Sequence, residues 1–143
     1  MRRSLVLART PREWNRRVLT LEDFAAYCRR ERIVVEEIES CLPDLYTIYD
    51  DEPYITIHPG LRGAERVFTC FHELAHYWLH PPGIHHLHQM HSIAENEADV
   101  VAACAMVPIT LLTNRWPAQI IEDYGYPPDL VDLRLEIFHR YQI

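Results

Sequence analysis

The sequence predicts an α+β fold: a small mixed sheet packed on a helical bundle. Three patterns carry that expectation. Residues 33–58 contain short, β-rich, alternating runs. Residues 64–80 repeat apolar side chains at helical spacing. Residues 98–107, Ala-Asp-Val-Val-Ala-Ala-Cys-Ala-Met-Val, are apolar on every face except at Asp99, as in a helix buried all round. With 143 residues, 48% of them hydrophobic, the chain is expected to form one domain spanning 1–143 with a substantial core.

The elements follow in order. Residues 1–19 have no clear period. Arg2, Arg3, Arg9, Arg12, Arg16 and Arg17 give them a basic bias that reads as a solvated arm. Thr20 caps a helix running to about residue 32, with Leu21, Phe24, Ala25 and Cys28 inward. A strand over 33–38 comes next, then a hairpin of 45–50 and 54–58 around Asp51-Glu52-Pro53. The helix over 64–80 starts after Gly63 and is stopped by Pro81-Pro82. Val67, Phe68, Phe71, Leu74, Ala75, Trp78 and Leu79 face its core side, and Thr69, His72, His76 and His80 form a polar stripe. Residues 84–91 read as an edge strand or a loop. Ser92 opens the apolar helix. Pro108 begins a short helical segment, Pro117 a helix to about residue 124, and Pro127-Pro128 a last helix with Leu130, Leu133, Ile137 and Tyr141 on one face.

The last two helices, broken at Gly125-Tyr126-Pro127, have the spacing of a helix-turn-helix. The second carries Asp129, Asp132 and Glu136, which phosphate would repel, so the pair reads as structural. The net charge of −7 also argues against direct nucleic-acid binding. No apolar run reaches transmembrane length, so no membrane partner is expected. Met1-Arg2-Arg3 followed by residues 4–8 is too short, and too soon broken by Arg9, for a secretory signal. Cys28, Cys41, Cys70 and Cys104 are scattered without a C-x-x-C and read as thiols in a reducing compartment. A cytoplasmic protein is expected.

The chemistry lies in His72-Glu73-Leu74-Ala75-His76, an H-E-x-x-H run on the first long helix. Four residues apart, His72 and His76 stand one above the other on one face. Two imidazoles so placed can bind one Zn²⁺. Glu73, one step round, is placed as the general base for water at the metal. A catalytic zinc needs a third protein ligand. Glycine at 79 and histidine at 82 would extend the motif, but the chain has Leu79 and Pro82. His80 would put three histidines in a straight row, too long for one tetrahedral ion, so it reads as a helix C-terminal histidine or a wall of the site. Glu95 is the favoured third ligand, and Glu97 is the alternative. Glu95 shares a helix face with Asp99, which reads as the hydrogen-bond partner of a ligating histidine. Ser92-x-x-Glu95 is also a capping box, a competing use for Glu95.

Together the two motifs resemble the ImmA/IrrE family of zinc metallopeptidases. The run from Phe68 to His80 is similar to the family's F-T-x-A-H-E-L-G-H-x-x-x-H. The run from Glu95 to Pro108 is similar to its E-x-E-A-N-x-F-A-A-x-L-L-M-P. Ala75 stands where glycine is usual, Asp99 where asparagine is common and Val101 where phenylalanine is usual. The close match covers 66–108. The resemblance implies a small zinc peptidase that cleaves a helix-turn-helix transcriptional repressor, in a phage, mobile-element or stress-response system. A different class of answer is a non-catalytic zinc-containing module that binds a repressor or a toxin–antitoxin partner; the presence of Glu73 leans against it, since a structural zinc has no use for a base. A peptidase also needs a donor for the oxyanion. His85, His86, His88, His91 and Tyr77 are the side chains available for that role, and the four histidines also suit an accessory metal site or a polar loop.

Overall fold

The computed structural model describes residues 3–39, 45–80 and 88–143. Among them are α1 (Arg3–Ala8), α2 (Leu21–Glu31), β1 (Val34–Glu37), β2 (Leu45–Tyr49), β3 (Glu52–Ile57), α3 (Gly63–Leu79), α4 (His88–Met106), α5 (Ile109–Asn114), α6 (Pro117–Tyr124) and α7 (Pro128–Tyr141). The architecture is α+β, with a three-stranded mixed sheet against helices. No helix of the described residues is long and apolar enough to cross a membrane.

β3 is the central strand. It pairs parallel with β1, Val34 opposite Tyr54, and antiparallel with β2, Tyr49 opposite Glu52. Asp50 and Asp51 close the hairpin with φ of 51° and 61°. Two consecutive left-handed residues give the turn the twist that a two-residue hairpin needs. Ile55 and Ile57 alternate inward and are fully buried.

α2 starts at a capping box. The Asp23 amide donates to Thr20 Oγ1, and the Thr20 amide donates to an Asp23 carboxylate oxygen. Its buried face is Phe24, Tyr27 and Cys28; Leu21, expected inward, is 38% exposed. Phe24 and Cys28 face inward as expected, and the buried face is shifted towards Tyr27, which joins an aromatic cluster from outside the helix. Trp14 lies edge-on to Phe71 at 5.3 Å and to Trp78 at 5.1 Å, and Tyr27 edge-on to Trp78 at 5.4 Å. Edge-to-face packing suits the ring quadrupoles.

α3 and α4 form the largest helix contact of the fold. On α4, Ala98 and every residue from 100 to 106 are buried, as is Val107 just past it, as the apolar run predicts. Its start does not agree with the sequence reading. The helix begins at His88 rather than Ser92, so Ser92 lies inside it and no capping box holds Glu95. Of the segment 84–91, the residues from His88 on are therefore helical, and the rest lies outside the described residues.

The N-terminal segment is not a solvated arm. Val6, Trp14 and Leu19 are buried core residues. The reason is an accounting of hydrogen bonds. α4 ends inside the protein, and a buried helix end must find partners for its last carbonyls. The Leu19 amide donates to Ala105 O at 2.9 Å, Tyr126 Oη to Met106 O at 3.0 Å and Arg134 Nε to Val107 O at 2.6 Å. Trp14 Nε1 donates to Val101 O at 2.7 Å. The Asn15 side-chain oxygen accepts from the Ile109 amide at 2.8 Å and from Arg134 Nη2 at 3.0 Å. The segment 14–19 is thus a strap that closes the end of α4, and α7 clamps it through Arg134.

Candidate metal centre

The site is built where α3 crosses α4. Gly63, at φ +57°, lets the chain turn out of the sheet into α3. Phe71, Leu74 and Ala75 then bury one side of the helix completely, which fixes the direction in which His72 and His76 point. α4 supplies Glu95, Glu97 and Asp99.

His72, His76 and Glu95 converge; among the described residues they are the group of ligand-type side chains whose donor atoms lie together. The two Nε2 atoms are 3.1 Å apart. His72 Nε2 is 3.1 Å from Glu95 Oε2, and His76 Nε2 is 3.0 Å from Glu95 Oε1. A tetrahedral ion with Zn–N near 2.0–2.1 Å holds its ligands about 3.3 Å apart. The observed triangle is within a few tenths of an ångström of that spacing, so the donor set fits one small divalent cation. Glu97, the alternative, is not in the triangle.

Each histidine is held from behind. His72 Nδ1 lies 2.8 Å from Asp99 Oδ1. A carboxylate only accepts, so the proton sits on Nδ1 and the Nε2 lone pair faces Glu95 and His76. Asp99 was expected to be enclosed by its apolar helix, but its side chain is 41% exposed. It occupies the edge where α4 emerges towards the site, so its carboxylate keeps water on one side and the histidine on the other. His76 is 2% exposed, and its Nδ1 meets His80 Nδ1 at 2.9 Å. His80 Nε2 in turn meets Glu97 Oε2 at 3.0 Å. His80 is the C-cap of α3, as the sequence reading of a helix C-terminal histidine expects, and its ring also joins His76 to Glu97. It is the first residue past α3, with extended backbone, and its ring tucks under His76.

The electrostatics favour a cation. Burial alone pushes the His72 imidazole pKa down. The Asp99 hydrogen bond and the negative charges of Glu73, Asp99 and Glu95 outweigh it and hold the pKa above its ordinary value. Glu73, next to the triangle in sequence, is buried, 6% exposed. Tyr77 is committed elsewhere: its hydroxyl donates to Glu31 at 3.1 Å and its ring packs edge-on to Tyr46. His85, His86 and Cys41 lie outside the described residues, as do the side chains of His88 and His91.

Sequence reasoning missed the coupling of His80 to Glu97. The available signal was a histidine one turn beyond His76 together with a second glutamate two residues from Glu95.

The family model of the M78 peptidases, described as the IrrE N-terminal-like domain, matches residues 28–136. The match takes in the sheet, α3, α4 and most of α7, and leaves out the strap. A comparison with curated proteins finds no match.

Proposed function

The chain belongs to the M78 metallopeptidase family, the IrrE N-terminal-like group, and on that premise we propose that it is a zinc-dependent endopeptidase that cleaves a helix-turn-helix transcriptional repressor. The observation that carries the reading is the triangle of His72, His76 and Glu95 with the buried carboxylate of Glu73 beside it. These three residues would hold Zn²⁺. When bound, the ion supplies Lewis acidity, acidifying water towards a pKa of about 7 and polarising a substrate carbonyl.

The chain's own residues do the rest. Glu73 accepts a proton from the attacking water and passes it to the leaving amine. Glu73 is 6% exposed and one residue from His72, so its carboxylate is held beside the ligand set rather than free in solvent. Asp99 keeps the His72 proton on Nδ1. Three described cysteines, Cys28, Cys70 and Cys104, are buried thiols rather than disulfides, in keeping with work in the cytoplasm. The net charge of −7 suits a basic, DNA-binding substrate. An extended segment must lie across the site for its carbonyl to be attacked, so the cut falls in a linker of the repressor rather than inside a packed helix.

The test is incubation of the zinc-loaded protein with a candidate helix-turn-helix repressor, taken first from any neighbouring gene that encodes one, followed by mass spectrometry. Cleavage at one or a few linker bonds is expected. Tight binding without cleavage would instead favour a regulatory module that acts by binding its partner.

A further inference from the structure

We propose that His80 and Glu97 are a positioning pair that holds His76 in its metal-binding tautomer. The proposal rests on the reading of His72, His76 and Glu95 as metal ligands.

The argument starts at the carboxylate. Glu97 Oε2 lies 3.0 Å from His80 Nε2. An ionised carboxylate has no proton to give, so Nε2 of His80 carries the proton. A neutral His80 then has a bare Nδ1, which can only accept. It lies 2.9 Å from His76 Nδ1. His76 must therefore donate from Nδ1, and its Nε2 is left with the lone pair that points at Glu95 and His72. Glu97 thus sets the direction of both hydrogen bonds. Metal-bound histidines need such a partner to fix tautomer and ring orientation. His72 obtains it directly from Asp99. On the Nδ1 side, His76, itself 2% exposed, meets the His80 ring rather than a carboxylate. His80 spans the gap to Glu97, whose side chain remains 22% exposed. The two ligands are consequently oriented by separate devices, each ending on a carboxylate of α4, Asp99 for His72 and Glu97 through His80 for His76.

The separation makes the idea testable on the full chain by metal affinity, with zinc and a competing chelator as the probe. Glu97→Leu and His80→Phe should each weaken zinc binding ~10–100-fold. Glu97→Gln should recover most of the loss, because its amide oxygen still accepts from His80 Nε2. The double variant His80→Phe/Glu97→Leu should be no weaker than the worse single one, since both act through one path. Glu97→Leu and Asp99→Ala should multiply, since they act on different histidines. In the zinc-loaded wild type, nitrogen-15 NMR should find the His80 proton on Nε2 and the His76 proton on Nδ1. If His80→Phe does not fold, Glu97→Leu, Glu97→Gln and the NMR assignment decide. Unchanged zinc affinity in a folded Glu97→Leu protein, or a His80 proton on Nδ1, overturns the positioning pair while the metal centre stands. Failure of the wild type to bind zinc overturns both.

Discussion

Asp99 of α4 accepts a hydrogen bond from Nδ1 of His72 on α3 at 2.8 Å, although the Asp99 side chain is 41% exposed. Exposure and function are compatible here. A carboxylate at the rim needs no second buried partner, yet it still fixes the tautomer of the imidazole. Asp99→Ala should therefore weaken metal binding ~10–100-fold and change thermal stability little, since no core cavity opens. Asp99→Asn should be milder, its amide oxygen still accepting. Chelator competition and thermal melts of the metal-free proteins check both halves.

His72→Ala, His76→Ala and Glu95→Ala should each abolish stoichiometric zinc. Glu97→Ala should lower the affinity yet keep one zinc per chain when the metal is in excess. Elemental analysis after dialysis distinguishes them. Loss of zinc in Glu97→Ala together with its retention in Glu95→Ala would reverse the ligand assignment.

The strap makes a prediction about folding. Arg134 is completely buried, and burial pushes its pKa down. It stays because Val107 O and Asn15 Oδ1 accept from it. Arg134→Ala leaves those acceptors unpaired and opens a hole, and should cost about 3–5 kcal/mol. Asn15→Ala removes the acceptor of Arg134 Nη2 and leaves the Ile109 amide only the longer bond to Asn15 O at 3.3 Å, and should cost about 1–3 kcal/mol. Urea unfolding of the metal-free protein measures both.

Asp23 gives a pH dependence with a definite sign. The Arg17 hydrogen bond, helped by the Thr20 amide and hydroxyl, outweighs burial and holds the Asp23 carboxyl below its ordinary range. A depressed folded-state pKa means the stabilisation is fully present above the unfolded value, about 3.9, and is lost as pH falls through the folded one. Asp23→Ala should thus cost about 1 kcal/mol at neutral pH. The wild-type and variant stabilities should converge in stronger acid.

Much of this was legible in the sequence because it is local. The His72–His76 spacing and the shared face of Glu95 and Asp99 need only helix geometry. Pro117, Pro128 and the alternation of Ile55 and Ile57 mark elements through backbone sterics and burial. What was not legible depends on how elements meet. The Glu97–His80 bond exists only because α4 crosses α3 at that height. The strap carries no period, because Trp14, Asn15 and Leu19 answer to the unpaired end of α4 rather than to a helix or strand of their own. Ser92-x-x-Glu95 carried a true capping signal that the longer α4 overrides.

The central claim is that Glu73 moves the proton in a zinc-dependent cleavage. The most direct measurement compares wild type and Glu73→Gln, both zinc-loaded, against a helix-turn-helix repressor chosen as candidate substrate, recording zinc content, repressor affinity and cleavage together. The account predicts equal zinc, equal affinity and a loss of cleavage by Glu73→Gln of at least ~100-fold. Cleavage by Glu73→Gln at the wild-type rate, or no cleavage by a zinc-loaded wild type that binds the repressor, would contradict it.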